Sequence, residues 1–189
     1  MADRRRREGF ADKRERLGAV DEPSVVLDAA LRFLEPRQRS VGEVRSRLTR
    51  VGYREDLVTA AIERLTELGM LDDEAFARAW IESRDRTRPR GARALMSELA
   101  RKGIDRQTAD ETLTEREADH PGADADAARK LLDRNARSLA RVVDPRARRQ
   151  RAYALLARNG FDPEVAGSAS RALDATGDDA TADEGLEVD

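Results

Sequence analysis

One six-residue pattern occurs three times in this chain: Leu48-Thr49-Arg50-Val51-Gly52-Tyr53, Leu99-Ala100-Arg101-Lys102-Gly103-Ile104 and Leu156-Ala157-Arg158-Asn159-Gly160-Phe161. Each copy has Leu, a base two positions on, Gly two further, and then an apolar residue. A Gly-apolar pair after a helical run is a stop signal. Glycine enters the left-handed region without Cβ strain, and the next apolar side chain folds back on the last turn. The glycines lie 51 and 57 residues apart, longer than the periods of the common helical solenoids, so each unit has room for three helices.

Helix starts are equally legible. Ser40 with Glu43 reads as a capping box, Asp144-Pro145 and Asp162-Pro163 place an N-cap acid before proline at the first helical position, and Asp72 and Asp105 are further N-cap candidates. Gly69-Met70 ends one more helix in the manner of the triplicated pattern. Between these signals the apolar spacing is helical, as in Val41, Val44, Leu48, Val51 and in Leu57, Ala61, Leu65, Leu68. Phe76 and Trp80, four apart, read as core in the second unit, with Leu95 and Leu99; Leu132, Leu139, Leu156, Val165, Ala169 and Leu173 serve the third. The expectation is an all-α chain of nine helices in three tandem three-helix repeats.

The boundaries follow: a basic arm without apolar periodicity over 1–22, repeats over 23–70 and 71–119, a linker at 120–123, a third repeat over 124–173 and an acidic tail over 174–189. Both ends are expected to be disordered, since they lack the apolar residues to bury. A single unit of about 45 residues buries only some six to eight large side chains, which makes it marginal alone and favours stacking on neighbours.

Composition closes several classes of function. There is no cysteine and one histidine, His120, which reads as a linker residue, so neither thiolate metal ligation nor a histidine cluster is available. No phosphate-binding glycine loop, nucleophile elbow or zinc-protease motif occurs, and the one acidic cluster, Asp72-Asp73-Glu74, suits a first helical turn. These residues suggest no catalytic, metal or cofactor-binding site. No leader-like or membrane-spanning apolar run is present, and the expectation is a soluble cytoplasmic monomer.

What stands out is charge. The net charge of -2 hides +3 over residues 1–20, +5 over 124–173, and seven acids without a base over 174–189. Arg84, Arg86, Arg88, Arg90 and Arg93 surround Pro89 and Gly91; Arg101 and Lys102 follow in the next helix. In the third unit Arg129, Lys130 and Arg134 lie on the first helix, and Arg146, Arg148, Arg149 and Arg151 open the second. Four cations in a first turn oppose the helix dipole, so an external anion is a reasonable compensation. Such clusters suit phosphate oxygens and protein carboxylates equally, and 33 Arg against 3 Lys also fits a solvated face set by codon usage. The third helices are short of base-reading side chains, so sequence-specific DNA recognition is not expected, while backbone contacts stay open. The tail could screen the basic third unit in cis.

Three segments resemble the RecX family of regulatory proteins: Gly69-Met70-Leu71-Asp72-Asp73-Glu74-Ala75-Phe76-Ala77 with Trp80 and Arg84; Leu95 through Leu99 to Lys102-Gly103-Ile104; and Arg39-Ser40-Val41-Gly42-Glu43-Val44, with Val44 where the family usually has Leu. Of the signature positions, Ser40, Gly52, Gly69, Asp72, Asp73, Phe76, Trp80, Gly103 and Gly160 read as structural. The resemblance implies an elongated, curved array lying in the groove of a RecA–DNA filament. It also implies inhibition of RecA ATP hydrolysis, strand exchange and co-protease function, in the setting of recombination, DNA repair and the SOS response, with no cofactor. The alternative is a helical repeat protein that binds nucleic acid without sequence preference.

Overall fold

The computed structural model describes residues 9–178. Among them there are eleven helices and no strand: α1 Phe10–Gly18, α2 Pro23–Leu34, α3 Val41–Val51, α4 Glu55–Glu67, α5 Asp73–Thr87, α6 Ala92–Arg101, α7 Arg106–Asp119, α8 Ala123–Arg134, α9 Ala136–Ala140, α10 Pro145–Arg158 and α11 Pro163–Asp178. The tandem three-helix organisation is therefore present as α2–α4, α5–α7 and α8–α11, with two helices more than the nine expected.

The first addition is α1, which makes part of the 1–22 arm helical. The second arises at Asn135, which turns out of helical geometry and splits the first helix of the third repeat into α8 and α9, its side-chain amide donating to the Leu131 carbonyl. At the other end α11 runs on to Asp178, into the stretch read as unstructured tail. Residues 1–8 and 179–189, the rest of the arm and of the tail, lie outside the described residues.

Two compact units are distinguishable, one formed by the described residues up to Ala77 with Arg101–Asp105, the other by Arg78–Ala100 with the residues from Arg106 on. In the first, α2, α3 and α4 enclose Val26, Ala30, Val44, Leu48, Val58, Ile62 and Leu65. In the second, α8, α10 and α11 close around Leu132, Leu139, Ala152, Leu156, Phe161 and Ala166. Each fully buried Leu or Phe there contributes about 1.5–3 kcal/mol. Ala152 of α10 and Ala166 of α11 are both wholly buried in that second core.

Stop and start signals act as local geometry demands. Gly52 ends α3 in the left-handed region at φ 114°, with its N–H on the Leu48 and Thr49 carbonyls. Asp144 caps α10 through the N–H groups of Arg146 and Ala147, and Asp72 accepts from Ala75 N at 2.8 Å. Ser40 accepts from Glu43 N at 3.1 Å, but the reciprocal half of the expected capping box is not made, because the Glu43 carboxylate is held elsewhere.

Candidate functional site

The start of α3 abuts the backbone that ends α6. Ser40, fully buried, donates its hydroxyl to the Lys102 carbonyl at 2.5 Å. Val41 N–H donates to Asp73 Oδ1 at 2.9 Å. Gly42 lies so close to Gly103 that a methyl group on either would come within 2.7 Å of the other's Cα. Glu43 accepts from Arg37 at 2.9 Å and from Lys102 Nζ at 2.7 Å. Burial pushes the Glu43 carboxyl up, yet the bonds and charges of Lys102 and Arg37 outweigh it and hold the pKa at about 2. Asp73 is shifted the other way, raised by burial and by the nearby Asp105 and Asp72 against the bond from Val41.

The same joint recurs one repeat on. Gly91 N donates to the Asn159 carbonyl at 3.0 Å and Arg93 N to the Gly160 carbonyl at 3.2 Å. Ala92 N donates to Asp124 Oδ2 at 3.2 Å. Val41 and Ala92, like Asp73 and Asp124, stand 51 residues apart, which makes the two joints equivalent. In both, the first N–H of a second helix is taken by a carboxylate from the next repeat's first helix, and the helix start rests on a C-terminal glycine. Asp124 is held in turn by Arg116, whose side chain is 9% exposed. That guanidinium grips Asp85 through two 2.9 Å bonds and Asp124 through a third. Burial pulls the Arg116 pKa down, and the two carboxylates together raise it above the ordinary value.

Several of the candidate partner-binding bases are engaged within the fold. Arg84 stacks 4.3 Å over the Trp80 ring and reaches Glu98 Oε2 at 2.6 Å, where Trp80 Nε1 also donates at 2.9 Å. Trp80 is thus half-buried with a polar role, not the core residue that its spacing to Phe76 suggested; Phe76 is buried. Burial raises the Glu98 carboxyl, and Arg84, Trp80 and Arg90 more than reverse this. Arg90 hydrogen-bonds the Asn159 side chain, Arg93 pairs with Asp162 at 2.9 Å and Arg129 with Asp126 at 2.8 Å. Arg134 donates to the carbonyls of Arg86 and Thr87 that end α5.

Arg86, Arg88, Arg101, Lys130, Arg146, Arg149 and Arg151 are exposed, and Arg148 is half-buried. Arg146, Arg149 and Tyr153 fall on one face of α10 by helical spacing, and α10 contains no acid. Tyr153 is 39% exposed, and Val143, just before the helix, 89%.

Residues 27–65, 72–113 and 123–169 match, in order, the first, second and third three-helix domains of RecX. The regulatory protein RecX of Mycobacterium sp. (strain JLS) is 35% identical over 139 residues, covering 72% of this chain and 74% of its own. That of Mycolicibacterium vanbaalenii is 34% identical over 145 residues, 72% and 75% of the two chains. This chain belongs to the RecX family. A crystal structure of RecX from Lactobacillus salivarius has the same fold, with a TM-score of 0.72 at 22% identity over 82% of this chain and 98% of that one. For this RecX-family protein a regulatory role follows, and the tandem three-helix fold is shared with its relatives. Among the described residues no helix is long and apolar enough to cross a membrane.

The Glu43 ion pairs make one joint acid-sensitive. A carboxyl whose folded pKa is depressed adds stability that is complete above its unfolded value, near 4.5, and that fades as pH falls toward 2. The shift corresponds to about 3 kcal/mol. Urea unfolding from pH 5 to pH 2 should show the loss, and Glu43→Gln should reduce it, leaving the smaller dependence of other depressed carboxyls such as Glu98. An identical pH dependence in wild type and variant would exclude the joint as its source.

Proposed function

We propose that this protein binds the RecA–DNA filament and inhibits RecA ATP hydrolysis, strand exchange and co-protease function, acting by surface contact without a cofactor. It acts in the cytoplasm as a monomer. The observation that carries this reading is a RecX-family chain whose α10 has exposed Arg146, Arg149 and Arg151 and no acid. Cations at the start of a helix oppose its dipole, and an anionic partner surface reverses that penalty. Repeats offer several such contacts to a polymer, and multivalency raises affinity without requiring any one contact to be strong.

Co-sedimentation with RecA assembled on single-stranded DNA, together with the ATPase rate, tests it. Wild type should pellet with the filament and slow hydrolysis. Arg146→Glu with Arg149→Glu and Arg151→Glu should weaken association about tenfold or more. No association and an unchanged rate would remove the proposal.

The same cations support a second reading, contact with a nucleic-acid backbone. In that case affinity for bare single-stranded DNA should fall with salt at a log–log slope of about -0.7 per phosphate contacted. A flat salt dependence would count against it.

A further inference from the structure

Three glycines close the triplicated pattern, and the floor that each provides is covered. The backbone at Ala94, at the start of α6, presses on Gly160, and Gly42, at the start of α3, presses on Gly103; in each case an added methyl group would come closer than 3 Å to a backbone atom. Gly52 is covered differently. A methyl group on it would meet the Arg14 carbonyl oxygen at 2.7 Å and the Arg14 Cα at 3.0 Å, both in α1. Leu17, one turn along α1, is buried, and Gly18 approaches the Gly52 carbonyl. By contrast Gly69, also left-handed at φ 68°, has nothing within 4 Å of such a methyl group.

The start of α10 lacks the features of the joint. Pro145 stands at the first helical position, as Val41 and Ala92 do, and has no N–H to give to a carboxylate. Asp144 turns its own side chain onto Arg146 N and Ala147 N. Gly91, which lies against the Gly160 backbone at the second joint, has Asp144 in its place.

We infer that α1 is a terminal cap: it occupies on Gly52 the place that a docking repeat's helix start occupies on Gly103 and Gly160, and so closes the first repeat. The proline and aspartate at the start of α10 stop the joint from continuing at the third. Repeat arrays need such atypical ends because an uncovered repeat face exposes apolar surface and unpaired backbone. The cap is a light one, a nine-residue helix anchored by Leu17.

A double-mutant cycle tests this. Gly52→Ala, Gly69→Ala, a chain lacking residues 1–19, and the truncated chain carrying Gly52→Ala are compared by urea unfolding and amide exchange. Both glycine variants force alanine to a positive φ, with more strain at Gly52 (114°) than at Gly69 (68°), and each raises the unfolding constant by about 5-fold or more for that reason alone. In the full chain Gly52→Ala carries the further cost of displacing α1. In the truncated chain the Gly52→Ala effect should shrink about tenfold, leaving only the backbone strain. An equal Gly52→Ala effect in both backgrounds would overturn the cap. If the truncated chain does not fold, exchange in the full chain decides. Gly52→Ala should strip protection from the Arg16 and Leu17 amides and leave α4 protected, whereas α1 amides already unprotected in the wild type would overturn the inference.

Discussion

Gly160→Ala should destabilise the protein by roughly 3–5 kcal/mol, whereas Gly69→Ala should cost only about 1–2 kcal/mol. The two positions share a left-handed backbone, at φ 82° and 68°. Conformational strain at an L-residue therefore enters both to a similar extent. They differ in what surrounds the new methyl group: open space at Gly69, and the backbone N and Cα of Ala94 at Gly160. Backbone cannot step aside as a flexible side chain can. The start of α6 must therefore lift, weakening the bonds from Gly91 N to Asn159 O and from Arg93 N to Gly160 O. Each such bond is worth about 1 kcal/mol, in addition to the overpacking itself. Urea unfolding measures the difference, and amide exchange locates it, with protection lost first at Gly91 and Arg93. Equal losses at the two glycines would mean that Gly160 serves only to end its helix.

Arg116→Ala should cost about 3–5 kcal/mol, the range for removing one partner of a buried ion pair. The loss is not that of a surface salt bridge, because the guanidinium is almost wholly covered and holds two carboxylates. Its removal leaves Asp85 and Asp124 facing each other's charge without compensation. It also loosens the carboxylate that takes Ala92 N at the second joint. A triple variant separates the two contributions. Arg116→Met with Asp85→Asn and Asp124→Asn removes every charge while keeping an acceptor for Ala92, and it should recover most of the lost stability. A triple variant as unstable as Arg116→Ala would show that shape, and not charge, is what Arg116 provides. A single variant within 1 kcal/mol of wild type would sink the idea outright.

Arg116 shows where sequence reasoning reached its range. It is the lone base between Gln107 and Asp119, among Asp110, Glu111, Glu115, Glu117 and Asp119. That isolation is a signal, though one that i,i+4 pairing on a solvated helix would explain as well. Its partners lie 31 and 8 residues away on other helices, and no spacing rule connects them. Gly42 offered a better clue. A glycine in the first turn of a helix costs about 1 kcal/mol against alanine, and close backbone approach is a reason to keep it. The arginines around Pro89 were ambiguous for a related reason: a basic cluster reads the same whether it waits for a partner or holds Glu98 and Asp162.

The chain's own sequence determined most of the helix ends, though not the break at Asn135 or the run of α11 to Asp178, together with the threefold repetition and the RecX-family fold. These rest on interactions within a few residues: a carboxylate on the N–H two or three positions ahead, a glycine turning left-handed, an apolar stripe every third or fourth residue. Tertiary structure alone decided that the terminal glycines are also docking floors, that Trp80 and Arg84 belong to an internal polar cluster, and that Phe10–Gly18 folds as a helix on Gly52. Each of these depends on which distant backbone arrives at a given surface, and that is set by the packing of whole helices, not by the residue types along any one of them.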